Sequence, residues 1–231
     1  MRILVAGSSG AIGQMIVEQL RSDGDEVFTI SRSGVASSTH CVVDLTQSTS
    51  IELVRNFLSD KGPLDAVFCC IGMLHGGWKM PEKSLSQLSD EWLQQSMSVN
   101  VLSHVHLAQA VESCVARRQP VRWLSLSAMV GSIEDNQLGG WYSYRMTKAS
   151  LNMFIKTLSI EWGRKSPESC VVALHPGTTD SGLSKPFQAG IAEGKLYSLK
   201  DTAQRLIKVM RELTPAQHGR LLHWDGSQIP F

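Results

Sequence analysis

The 231-residue chain has no apolar run that approaches a membrane span; the longest, residues 67–74, is far short of the roughly 20 residues needed. The opening MRILVAGSSG holds only a short apolar run before Gly7, too little for the apolar segment of a secretion signal, and reads as a strand. Cysteine is scarce and unpatterned. The five are an odd number, no CxxC occurs, and the adjacent Cys69 and Cys70 are poor disulfide partners, so a reducing, cytoplasmic setting is expected. Charge of one sign is also lacking: 22 Lys and Arg against 21 Asp and Glu leave a formal charge of +1, with no global attraction to nucleic acid or acidic lipid. The basic pair Arg117-Arg118 is isolated and suits a helix end. Seven histidines form no HExxH or Cys/His spacing, His104 and His106 point to different sides of a helix, and His40, His75 and His175 are scattered, so no metal site is expected. No GxSxG elbow supports a hydrolase. The six tryptophans lack interleaved basic residues and read as core or pocket surface, Trp78 and Trp141 being candidates for the latter.

What is present is a regular alternation. Nearly continuous apolar runs at 2–6, 27–30, 40–43, 66–70, 121–126, 170–175 and 221–224 read as strands covered on both faces. Helical patterns lie between them at 12–22, 51–58, 90–115, 144–165 and 202–213. Strand–helix alternation over the whole chain predicts a single-domain α/β fold, residues 1–231, with a doubly wound parallel sheet of about seven strands and helices on both faces. Residues 181–199 lack a period and hold three glycines, as a mobile loop over a substrate site would.

The first strand runs into VAGSSGAIG, where Gly7, Gly10 and Gly13 turn the chain into a helix. Missing side chains let a pyrophosphate approach the helix N-terminal amides, although the spacing is not GxGxxG. At the end of the second strand the candidate ribose reader is Arg32, between Ser31 and Ser33, where a solvated loop arginine is the alternative. An acid there would grip the 2′-hydroxyl of NAD, whereas arginine suits a 2′-phosphate, so NADP(H) is expected over NAD(H).

The stretch WYSYRMTK places Tyr144 one helical turn ahead of Lys148; Tyr142 meets only Met146. A phenol with an ordinary pKa near 10 exchanges protons slowly at neutral pH, and an adjacent ammonium favours its ionised form. The pair opens a long helix after the fifth strand, in a chain that begins with a phosphate turn.

Taken together, AGSSGAIG, Val43-Asp44-Leu45, Ser98-Val99-Asn100, LSLSAMVGSI, YSYRMTK and the HPGTTDS of 175–181 make the chain resemble the short-chain dehydrogenase/reductase family over essentially its full length. The resemblance is to the carbonyl-reductase-like branch that includes the C-factor signalling proteins. It implies that Tyr144 is the general acid for carbonyl reduction, and that Lys148 lowers its pKa and binds the nicotinamide ribose. Asn100 would anchor a water of the proton relay. Gly7, Ser9, Gly10, Ala11, Ile12, Gly13 and Gly72 would line the cofactor, Asp44 and Leu45 its adenine, and Pro176 and Gly177 its nicotinamide. Asp44 also suits a turn cap. Homodimers or homotetramers are implied, and a small-molecule carbonyl or alcohol as substrate.

The departures are specific. Ala11 replaces the middle glycine of the family turn, and Cys69-Cys70-Ile71-Gly72 stands for NNAG. Strict register puts Ala128 where the family's serine acts, so Ser127 or Ser132 must supply a hydroxyl; Ser127, one residue earlier, is the preferred candidate. Ser181 replaces a threonine. These departures leave a competing reading, a nucleotide-binding regulatory protein of the same fold with little turnover.

Overall fold

The computed structural model describes residues 1–77, 79–115 and 119–231, so Trp78, Arg117 and Arg118 lie outside the described residues. The strands are β1 (Arg2–Ala6), β2 (Glu26–Ser31), β3 (His40–Val42), β4 (Ala66–Cys69), β5 (Arg122–Leu126), β6 (Cys170–His175), β7 (Thr178–Thr179), β8 (Leu196–Tyr197), β9 (Leu221–His223) and β10 (Gln228–Ile229). The helices are α1 (Ala11–Ser22), α2 (Ser50–Leu58), α3 (Asp90–Met97), α4 (Ser103–Val111), α5 (Tyr142–Lys165) and α6 (Leu199–Glu212).

The main sheet has the order β10-β9-β6-β5-β4-β1-β2-β3 and is parallel except for β10. All seven expected strands are in it. The eighth, β10, is two residues long and antiparallel to β9, too short to leave a hydrophobic signal. Chain order reverses between β1 and β4, which opens the crevice in which such sheets bind ligands.

Alternation along β1 shows why both faces need helices. Ile3 and Val5 join Ile16, Leu20, Leu206 and Met210 of α1 and α6, while Leu4 and Ala6 join Val54, Leu107, Leu151 and Ile155 of α2, α4 and α5. Every one of these residues is buried, each larger side chain contributing roughly 1.5–3 kcal/mol.

Two expected elements differ in detail. The helix predicted over 90–115 is α3 and α4 joined by a π-helical turn, Ser98–Leu102, which carries Asn100. Periodicity cannot reveal one inserted residue, and such turns recur at functional sites. Residues 181–199, predicted as loop, contain a 3₁₀ turn (Lys185–Gly190) and β8, which pairs with β7. Among the described residues no helix is long and apolar enough to cross a membrane, and no group of three or more His, Cys, Asp and Glu is placed to hold a metal ion.

Candidate active site

The ends of β1, β2, β4, β5 and β6 border two adjoining hollows. One, of about 480 Å³, is lined by Gly7, Ser9, Gly10, Arg32, Asp44 and Leu45 among others. The other, of about 500 Å³, is lined by Ile12, Ser127, Tyr144, Lys148, Pro176 and Gly177, with apolar walls from Leu74, Met129, Trp141 and Phe187. Cys70, Ile71 and Gly72 border both, so the two form one groove across the sheet edge. Ala11, Gly13 and Asn100 stand outside it. Ala11 is exposed on α1, Gly13 is buried under the turn, and Asn100 is buried behind the wall.

The glycine turn explains its own composition. Gly7 has φ +78°, and a Cβ there would stand 3.0 Å from Cys70 and Ile71. A Cβ on Gly13 would collide with the Gly7 carbonyl oxygen, so α1 packs against the turn only with glycine there. Gly10 caps α1 without any side-chain bond to its first amides, which leaves those donors and the helix dipole for an anion.

Arg32 is exposed beside this turn, and its loop is held by His40, a residue the sequence left unassigned. His40 Nδ1 meets Thr29 Oγ1 at 2.8 Å, and its Nε2 meets the Ser33 carbonyl at 3.1 Å. Asp44 also serves as the turn cap considered for it: its Oδ1 accepts from Thr46 N at 3.0 Å and Thr46 Oγ1 at 2.9 Å. The Cys69–Gly72 shelf lacks the polar side chains of NNAG and is supported instead by His104. Its Nε2 donates to the Ile71 carbonyl at 3.0 Å, and its Nδ1 accepts from Ser125 Oγ at 2.9 Å. Burial, with Lys148 next, pushes the His104 pKa down to about 3, so the ring is neutral.

The second hollow is organised by one stripe of α5. Lys148 is buried and donates from Nζ to the Leu126 carbonyl at 2.7 Å. Its Nζ lies 5.7 Å from the Tyr144 ring centroid, and burial pulls its pKa down to about 8. The expected lowering of the Tyr144 pKa needs correction: burial raises it above the ordinary phenol value. The ammonium is turned to the Leu126 carbonyl, and loss of solvent outweighs it. Asn100 accepts from Met73 N at 2.7 Å and donates to Met73 O at 2.9 Å and Thr147 Oγ1 at 3.0 Å, and Thr147 donates to the Tyr144 carbonyl. It therefore ties the first turn of α5 to the shelf. A Cβ on Gly72 would sit 3.3 Å from Lys148 Nζ, a tight contact that glycine avoids.

Ser127 borders the hollow, and its hydroxyl donates to Asn152 Oδ1 at 2.7 Å. Ser132 is buried away from it, accepting from Asp135 N at 3.1 Å. The start of α5 has a clamp that left no local signal. Trp141 adopts φ +51°, rare for a bulky residue, and its amide donates to the Glu82 carbonyl at 2.5 Å. The buried Glu82 carboxylate accepts from the Ser143 amide at 3.3 Å and from the Ser143 hydroxyl. The Trp141 ring is thereby set 5.0 Å from Phe187 and 6.4 Å from Tyr144, centroid to centroid. Glu82→Ala is expected to lower stability by about 2 kcal/mol, since hydrogen bonds to a charged acceptor are lost in a buried place. An unchanged denaturation midpoint would refute that account of the clamp.

Known proteins resemble this chain in sequence and in fold. The short chain dehydrogenase family profile matches residues 1–192. The chain belongs to the short-chain dehydrogenase/reductase family. As a member it is an NAD(P)-dependent oxidoreductase. This short-chain dehydrogenase is 30% identical over 238 residues, 99% of each chain, to the 1-hydroxy-2-glutathionyl-2-methyl-3-butene dehydrogenase of Rhodococcus sp. (strain AD45). It is 25% identical over 171 residues to the C-signal of Myxococcus xanthus, covering 74% of this chain and 94% of that one. Its fold matches the NADPH-bound carbonyl reductase from chicken fatty liver with a TM-score of 0.85 at 18% identity, over 100% of this chain and 94% of that one.

Proposed function

We propose that this short-chain dehydrogenase is a cytoplasmic, one-domain NADP(H)-dependent reductase that converts a carbonyl to an alcohol on a small or medium, partly apolar substrate. The observation that carries the reading is the continuity of the groove: an uncapped helix end and Arg32 at one side, Tyr144 and Lys148 at the other, with the Cys70–Gly72 shelf between. The residues fit a dinucleotide. Gly7, Ser9 and Gly10 would cradle its pyrophosphate, Arg32 its 2′-phosphate, Asp44 and Leu45 its adenine, Lys148 its nicotinamide ribose, and Pro176 and Gly177 its nicotinamide. When bound it would supply the hydride. Tyr144 would then donate its proton to the carbonyl oxygen, which its raised pKa suits, because the phenol is protonated at neutral pH. Lys148 would stabilise the resulting phenolate, and Asn100 would hold both the shelf and the Tyr144 turn in register, with a water of the relay beside it. Leu74, Met129, Trp141 and Phe187 make the walls apolar. The free thiols of Cys41, Cys69, Cys70 and Cys170 suit a reducing cytoplasm. Met146, Met153 and Ile160, exposed at seven-residue steps along α5, support pairing with a second copy.

The test is NADPH oxidation followed against aldehydes, ketones and diketones. Turnover of at least one class is expected. Absence of turnover with intact NADPH binding would favour the regulatory reading, which Ala128 at the family's serine position supports. Where turnover is found, its pH dependence follows from Lys148. A lysine pKa pulled down to about 8 leaves the ammonium charged below that pH and neutral above it. The kcat/KM for reduction should be flat toward neutral pH and fall about tenfold per unit above the Lys148 pKa. A rate that holds level through strongly alkaline pH would show that the charge is not needed.

A further inference from the structure

We infer that Asn152 is a positioning residue that turns the Ser127 hydroxyl proton away from the substrate hollow, so that Ser127 meets the substrate as a hydrogen-bond acceptor and selects ligands with a hydroxyl beside the reacting carbonyl. Asn152 continues the α5 stripe one turn beyond Lys148, and it is buried. Its Nδ2 lies 3.0 Å from the Gly131 carbonyl oxygen and its Oδ1 lies 2.7 Å from Ser127 Oγ. The Gly131 carbonyl can only accept, so the amide nitrogen must face it and the amide oxygen must face Ser127. The hydroxyl has one proton, and Asn152 takes it. Ser127 borders the hollow with its one proton committed to Asn152, so toward the hollow its hydroxyl can offer only a lone pair. Donating instead to a carbonyl oxygen would strand the buried Asn152 oxygen without a partner. Ala128, which borders the same hollow, has no hydroxyl to substitute. The carbonyl oxygen is therefore left to Tyr144, and a donor on the neighbouring carbon is what Ser127 can bind. This rests on the carbonyl-reductase reading for the reacting group, but the polarity of Ser127 is a property of the cofactor-free protein and can be measured without turnover.

The experiment compares α-hydroxyacetophenone with α-methoxyacetophenone, which keeps the oxygen and loses the donor. Dissociation constants come from calorimetry on the cofactor-free protein, and kcat/KM values from NADPH oxidation. The wild type should bind the hydroxy ligand about fivefold to tenfold more tightly, as one net hydrogen bond allows. Ser127→Ala should bring the ratio near unity. Asn152→Ala, which frees the proton, should shrink it too, while Asn152→Asp, which keeps an acceptor toward Ser127, should retain it. A purely structural Asn152 would weaken both ligands together and leave the ratio unmoved, which overturns the inference. So does a wild-type ratio near one, or a ratio that survives in Ser127→Ala. Should Asn152→Ala not fold, the wild type and Ser127→Ala decide alone. Absence of NADPH oxidation with the binding ratio intact would count against the reductase reading and not against this one.

Discussion

Tyr144→Phe should lower kcat for carbonyl reduction by about a thousandfold, within the usual range for loss of a general acid. The substitution removes one oxygen and one proton. It keeps the ring that packs 6.4 Å from Trp141, and α5 retains the Asn100–Thr147 tie and the Glu82 clamp. NADPH affinity should therefore stay within about twofold, because a lost neutral hydrogen bond has a small net effect. A thousandfold loss is about 4 kcal/mol of transition-state stabilisation, too much for a packing change at a site that remains filled. The readout is kcat from NADPH oxidation alongside NADPH dissociation constants from fluorescence. A variant that retains a tenth of wild-type turnover would remove Tyr144 from the chemistry.

Arg32→Ala should weaken NADPH binding by about 30-fold and leave NADH binding within about twofold, as the loss of charge-assisted bonds to a phosphate predicts. Arg32 lies at the exposed end of β2, bordering the hollow that holds the glycine turn. The loop behind it is fixed by His40 through Thr29 and Ser33, so truncation should remove the guanidinium without reshaping the loop. The preference should also fall with added salt, since the charge is solvent-exposed. Titration of both cofactors against wild type and variant at two ionic strengths checks this. Equal losses for NADPH and NADH would assign the 2′-phosphate to another residue.

The groove residues were legible to different degrees. The Tyr144–Lys148 spacing is a local, helical fact, and the turn at Gly7 and Gly13 is forced by backbone contacts that side chains would break, so both leave traces in neighbouring letters. Asn152 could have been found by carrying the same stripe one turn further. Glu82, His40 and His104 could not. Glu82 reaches Ser143 from 61 residues away, and His104 supports Ile71 from 33 away. No periodicity records such a meeting. The direction of the phenol's shift was not legible either, since a spacing shows that a cation is near but not that the ammonium is turned to a backbone carbonyl while burial raises the phenol.

The strand–helix alternation, the parallel sheet, the glycine turn and the tyrosine–lysine stripe were readable from the letters alone, because each follows from residues within a helical turn or a strand of one another. Only the tertiary structure decided that the two hollows join across Cys70–Gly72, that Ser127 and not Ser132 borders the second, and which way the Ser127 proton points. Those outcomes depend on long-range packing and on which polar groups lose water together, and a hydrogen bond's direction is set by every partner that must be satisfied at once.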